Sequence, residues 1–213
     1  MLRVPDAVND VDATLVEPLS CVLSGLEKLS LRPDSHVTVI GAGPVGVLFL
    51  FATRLRGVGH VTMVDVSPAR LEMSREWEPS ITIDASSEDP VQAVKKVTDG
   101  MGEDAVIVAC VSAEAQNQAL LMARSAGEVL FFAGLPEPQS GVCIDTNRVH
   151  HHELKIMGSR SSTRRHFEIA IDLIEKRRID LAALVSHVVP LENATDAFAL
   201  AASKECLRVV MVP

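Results

Sequence analysis

The sequence predicts an α/β protein built on a doubly wound parallel sheet, and three observations carry that prediction. Short β-branched runs alternate with helical ones along most of the 213 residues. A glycine-rich turn, Gly41-Ala42-Gly43-Pro44-Val45-Gly46, sits between the first such run and the helical one after it. A second strand-like run ends on Asp65, nineteen positions after Gly46. Such alternation implies a parallel sheet covered on both faces. A ligand then lies beyond the carboxyl ends of the strands, where the strand order reverses.

The elements follow in order. "DATLVEPLSCVLSGLEKLS" (12–30) reads as one lead-in helix. Val37, Val39 and Ile40 form a buried strand. "VLFLFATRLRG" (47–57) is apolar at nearly every position and reads as a packed helix that stops at Gly57. "HVTMVDVS" (60–67) and "SITID" (80–84) are the second and third strands. "DPVQAVKKVTDG" (89–100) is a helix with Pro90 in its first turn and Gly100 as its stop. "DAVIVAC" (104–110) is the fourth strand, "AEAQNQALLMARSAG" (113–127) a helix, and "EVLFFAG" (128–134) the fifth strand. "GVCID" (141–145) and "ELKIMGS" (153–159) supply further strands. "STRRHFEIAIDLIEKRR" (162–178) is amphipathic, with Phe167, Ala170, Ile171 and Ile174 on one face. A strand, a helix and a final strand complete the chain. The expected organisation is a lead-in over 1–34, a dinucleotide-binding domain over 35–180 and a return segment over 181–213.

The turn suits a dinucleotide for physical reasons. Gly41 permits a tight exit from the strand, Gly43 lets the backbone approach a pyrophosphate, and Gly46 lets the helix pack close to the strand. Free N–H groups and the positive end of the helix then face the phosphates. Asp65 can accept hydrogen bonds from both adenosine ribose hydroxyls. A structural corner with an incidental aspartate is the competing reading, and the combined spacing favours the dinucleotide. Asp65 also places negative charge where the 2′-phosphate of NADP sits, with no cation at Val66 or Ser67, so NAD is the expected cofactor.

Composition narrows the partners. A net charge of −8 argues against nucleic acid and anionic membrane, and the absence of tyrosine removes the usual platform for stacked bases. No apolar run is long enough to cross a bilayer and no basic, apolar leader opens the sequence, so the expected location is the cytoplasm. Cys21, Cys110, Cys143 and Cys206 are widely spaced and read as packing residues. His150, His151 and His152, if extended, point to alternate faces and do not converge on a metal. "SRSSTRR" (159–165) reads as solvated helix residues, with a phosphate site at the helix start as the alternative.

Six segments together resemble the medium-chain dehydrogenase family, in its zinc-dependent alcohol and polyol branch. They are "EPLSCVLSGLEKL" (17–29), "VTVIGAGPVG" (37–46), "VDVSPARLE" (64–72), "SAGEVLFFAG" (125–134), "HHELKIMGS" (151–159) and "LVSHVVPLENATDAFAL" (184–200). The resemblance implies a Rossmann dinucleotide-binding domain and a hydride transfer between an alcohol or polyol and NAD. By position, it puts Asp65 and Arg70 at the adenosine ribose and Pro44 and Val45 under the pyrophosphate. Ala133, Gly134 and Leu135 fall at the nicotinamide. Relatives often read E-C-T-G where this chain has Ala109-Cys110-Val111-Ser112, which leaves Cys110 with backbone contacts only. Arg208 matches a pyrophosphate-binding residue, or is a surface arginine. Glu17 matches the third protein-ligand position of a catalytic zinc, but one ligand makes no site, and an ordinary helix carboxylate is its other reading. The family places a barrel-like catalytic domain before the "EPL" helix, and this sequence opens at Met1 without it. Zinc is therefore expected in an intact enzyme only, and no catalytic residue is assigned here. Also implied are a homodimer along the "ELKIMGS" edge and exposed apolar surface on the "EPL" helix and the terminal strand. The alternative is a free-standing dinucleotide-binding module used for sensing or regulation.

Overall fold

The computed structural model describes every residue except Met1, Gln139, Ser140, Lys204 and Glu205. In chain order the elements are α1 (Asp10–Ala13), α2 (Val16–Leu26), β1 (His36–Ile40), α3 (Pro44–Leu55), β2 (His60–Asp65) and α4 (Pro68–Ser74). There follow β3 (Ile81–Asp84), α5 (Pro90–Val97), β4 (Glu103–Val108), α6 (Ala113–Met122), β5 (Ala123–Phe131), α7 (Thr146–His151) and β6 (Lys155–Gly158). The chain closes with α8 (Arg164–Glu175), β7 (Val185–Pro190), α9 (Ala194–Ser203) and β8 (Arg208–Val212).

Residues Gly25–Arg160 form one compact unit around a six-stranded, all-parallel sheet ordered β3-β2-β1-β4-β5-β6. The order reverses between β1 and β4, which opens a crevice at their carboxyl ends. On one face Ile40, Val64, Val106 and Val108 pack with Val94 of α5 and with Ala119 and Leu120 of α6. Across the other face, Phe49 of α3 meets Phe132 edge-on at 4.8 Å between ring centroids. A Cβ on Gly25 would come within 3.2 Å of Phe49 and 3.3 Å of Leu130, so a larger residue there would require these side chains to give way. Each large side chain buried this way contributes about 1.5–3 kcal/mol. Proline opens α3, α4 and α5, and Asp89 accepts the Val91 N–H at 2.8 Å to cap α5.

The second compact unit joins Met1–Ser24 to Ser161–Pro213 and contains the parallel β7–β8 pair with α9. The divisions fall at Ser24/Gly25 and Arg160/Ser161, whereas the sequence divides at 34/35 and 180/181; α8 thus groups with the terminal segments. Among the described residues, no helix is long and apolar enough to cross a membrane.

Several local expectations are corrected. The lead-in is two helices rather than one, interrupted at Thr14–Leu15. Continuing the helix would drive the Pro18 ring into the Thr14 carbonyl. Leu19, Val22 and Leu26 of α2 are fully buried, so this helix does not expose the apolar surface expected of it. The helix over 113–127 stops at Met122, and Ala123 already belongs to β5. Two glycines allow that pairing: a Cβ on Gly102 would lie 2.6 Å from the Met122 carbonyl, and one on Gly127 2.7 Å from that of Arg124. Arg124 is then held by Asp104 at 2.5 Å. "GVCID" forms no strand; Asp145 instead caps α7, accepting the Asn147 and Arg148 N–H groups at 2.9 and 3.2 Å. His150 and His151 therefore end a helix and His152 caps it, so the extended geometry is replaced by side chains about 100° apart. Last, the buried stripe of α8 is His166, Ala170, Ile171 and Ile174, with Phe167 only half-buried. His166 turns inward because its Nδ1 accepts the Thr163 N–H at 3.0 Å, closing a capping box.

Candidate functional site

The glycine turn is shaped by close contacts. Gly41 has φ +110°, and its N–H donates to the Val64 carbonyl at 2.7 Å as the chain leaves β1. A Cβ on Gly41 would lie 3.0 Å from the Cβ of Cys110, which places the turn in the β1–β4 crevice. A Cβ on Gly46 would sit 1.7 Å from the Gly41 carbonyl oxygen, so any other residue would push α3 off the turn. Gly43 differs. A Cβ there would meet only the Arg70 Nη1, at 3.7 Å, and the space above it is open. Gly43 caps α3 without a side chain and Pro44 follows it, so the Val45 and Gly46 amides point out of the helix start, as an anion requires.

Asp65 closes this arrangement. It is 9% exposed, and its Oδ2 accepts the Ala42 N–H at 2.7 Å while Oδ1 accepts the Ser67 N–H at 2.8 Å. One carboxylate thus joins the end of β2 to the turn and to the start of α4. Each oxygen keeps a second lone pair for a ribose hydroxyl. Arg70 reaches over from α4, and its Nε is buried without a hydrogen-bond partner. A buried guanidinium nitrogen with no partner beside an open glycine suits an anionic ligand. Burial, reinforced by the Asp65 charge, pushes the Cys110 thiol up to about 11, so it stays protonated and fills the crevice as a packing residue.

At the far side of the sheet, the Phe132 and Ala133 N–H groups both donate to the Val108 carbonyl at 3.1 Å. Ala133 and Gly134 line a cavity of about 560 Å³ together with Gln116, Phe132, Gly158 and Ser159. Leu135 is half-buried and lies outside that lining. Gln116 and Ser159 are side chains the sequence reading did not assign. Ser159 opens the "SRSSTRR" stretch, but only the sheet brings it beside β5, where its N–H donates to the Phe131 carbonyl at 3.2 Å.

Glu17 and Arg208 belong to the other unit. Glu17 is exposed, and its Oε1 accepts the Cys21 thiol at 3.3 Å. Arg208 donates to the Thr14 carbonyl at 3.3 Å; burial lowers its pKa, and the nearby Glu17 charge opposes that shift. Among the described residues, no group of three or more His, Cys, Asp or Glu side chains could hold a metal ion. Zinc chemistry does not fit the described residues.

Residues 44–176, more than half of the chain, match the family model described as zinc-binding dehydrogenase. The chain belongs to that family. The resemblance seen in "VTVIGAGPVG" and "VDVSPARLE" to the zinc-dependent alcohol and polyol dehydrogenases is thereby borne out. Sorbitol dehydrogenase of Gallus gallus is 28% identical over 210 residues, covering 98% of this chain and 58% of that protein. A protein of Sinorhizobium meliloti, described as a zinc-binding dehydrogenase and bound to NADP, superposes with a TM-score of 0.92 at 26% identity. That match covers 100% of this chain and 62% of the other. An alcohol dehydrogenase of Thermus sp. gives a TM-score of 0.90 at 28% identity, over 99% of this chain and 60% of its own. This chain therefore spans about three fifths of the proteins it matches.

Proposed function

We propose that this chain is the NAD-binding portion of a zinc-dependent dehydrogenase that moves a hydride between an alcohol or polyol and the nicotinamide ring. The observation that carries this reading is the single carboxylate of Asp65, hydrogen-bonded to the glycine turn at Ala42, with the Arg70 guanidinium turned toward Gly43 of the same turn. In this arrangement Val45 and Gly46 hold the pyrophosphate through backbone amides, and Gly43 gives it room. Asp65 and Arg70 orient the adenosine ribose, and Ala133 and Gly134 floor the space for the nicotinamide. Bound NAD supplies the hydride acceptor. No step is assigned to Glu17, Cys110, Leu135 or Arg208; Arg208 is proposed as a further pyrophosphate contact and Glu17 as a zinc ligand of the longer enzyme. The chain alone binds cofactor without turnover, and zinc-dependent alcohol oxidation by it would contradict that.

Although the Sinorhizobium relative is bound to NADP, the charge of Asp65 opposes a 2′-phosphate here. Val66 and Ser67 offer no cation, and Arg70 is already turned toward Gly43. Repulsion at this partly desolvated position costs on the order of 1–3 kcal/mol, so NADH should bind at least about tenfold tighter than NADPH. Fluorescence titrations of both at one ionic strength check this, and equal affinities would remove Asp65 from its role. We further propose a homodimer joined along β6, supported by the open outer side of that strand. A cytoplasmic setting is proposed as well, supported by four cysteines that are all free.

A further inference from the structure

The cavity beyond β5 and β6 is lined by two polar side chains whose hydrogen-bonding capacity the fold leaves largely unused. Ser159 is nine-tenths buried, and its Oγ has no hydrogen-bond partner. A buried hydroxyl left in that state is destabilising, and it occupies a wall that could as well have been alanine. Facing the same cavity, Gln116 is 7% exposed, and its one hydrogen bond given by the structure is a long one, from Nε2 to the Ala133 carbonyl at 3.4 Å. The rest of the lining is Phe131, Phe132, Ala133 and two glycines, with the charged Arg160 exposed. At Gly134 and Gly158 even an added Cβ would touch nothing within 4 Å.

A hydroxyl and a carboxamide side chain can each donate and accept. The group that engages a donor of one and an acceptor of the other at once is itself a donor and an acceptor on a flat, otherwise apolar frame. A ring bearing a primary carboxamide has that character; a ring bearing a ketone or a hydrocarbon does not. Rotation of Ser159 about Cα–Cβ to another staggered position turns its hydroxyl toward the cavity it lines.

We propose that Ser159 and Gln116 form a side-chain clamp that reads the carboxamide of the nicotinamide ring, making them specificity-determining residues for the cofactor's reactive end. This inference rests on the dinucleotide reading of the Gly41–Gly46 turn. The test compares three ligands on the full chain: NADH, its reduced 3-acetylpyridine analogue (an acceptor without the amide donor) and ADP-ribose, which has no nicotinamide. Wild type should bind NADH about tenfold more tightly than the acetyl analogue, because a site built to pair a polar group rejects the analogue that lacks it. Ser159→Ala should weaken NADH by about tenfold, leave ADP-ribose unchanged and shrink the discrimination between the two dinucleotides. Gln116→Met, which keeps the volume, should act in the same direction. Unchanged NADH affinity in both variants, or equal losses for NADH and ADP-ribose, would overturn the clamp. Failure of ADP-ribose to bind wild type would overturn the dinucleotide reading beneath it, and the clamp with it.

Discussion

Glu103 begins β4 with a carboxyl group only 1% exposed. Thr38 Oγ1 donates to its Oε1 at 2.9 Å, while Oε2 is buried without a partner. Burial, with a smaller push from the Asp104 charge, raises its pKa from 4.5 to about 7 against the Thr38 hydrogen bond. The folded state therefore binds this proton more tightly than the unfolded chain. Its contribution to stability is complete below about pH 4.5 and is lost as pH rises through 7. A shift of this size corresponds to about 3 kcal/mol. Glu103→Gln keeps an acceptor for Thr38 and removes the titration. The variant should match wild type near pH 5 and melt at a higher temperature at pH 8; parallel melting curves across that range would show that Glu103 ionises freely. Nothing in the sequence marks this glutamate, because its burial depends on a β4–β5 pairing that starts earlier than the periodicity suggests. Gly41, Gly46 and Asp65 were legible for the opposite reason. Their roles follow from backbone conformation and chain spacing, which are local.

Elements with a strong period are legible in the sequence, and their ends are not. β1, β2 and the start of α3 follow from β-branched runs and a glycine turn, whereas the α1–α2 break comes from Pro18 acting one turn upstream. The loss of "GVCID" as a strand shows a short apolar run overridden by Asp145, whose capping bonds start a helix. β6 is the element with the clearest consequence beyond the chain. Among the described residues it pairs only with β5; it lies at the edge of the sheet and carries Ile156 and Met157, both only half-buried. Its one charge, Lys155, is engaged by Glu128 at 3.1 Å. An open apolar edge of this kind is usually paired or covered. The expected outcome is a symmetric dimer by light scattering. A monomer in the tens of micromolar range, with no dependence on concentration, would contradict pairing along β6.

The two units have different surfaces. In the unit built on β7, β8 and α9, Phe198 of α9 is 68% exposed and Leu191 and Val188 are also open, while the terminal strand contributes Met211 at 37%. In the sheet unit, Arg70 Nε and Ser159 Oγ are buried without a hydrogen-bond partner in segments that follow β2 and β6, on the side of the strands' carboxyl ends. Family membership was legible because the turn, the aspartate and the terminal segments keep their order along nearly the whole chain. The cavity lining was not, since Gln116 and Ser159 are 43 residues apart and meet only through β5 and β6. Cofactor binding at the glycine turn is tested most directly by titrating NADH against wild type and Gly43→Ala while following nicotinamide fluorescence. A Cβ on Gly43 meets no backbone, so the variant should melt like wild type and yet lose about 1.4 kcal/mol or more, at least tenfold in affinity, because the methyl group occupies the pyrophosphate's approach. Saturable binding to wild type with that loss in the variant is the expected result. Equal binding by both proteins, or none by wild type, would contradict the account.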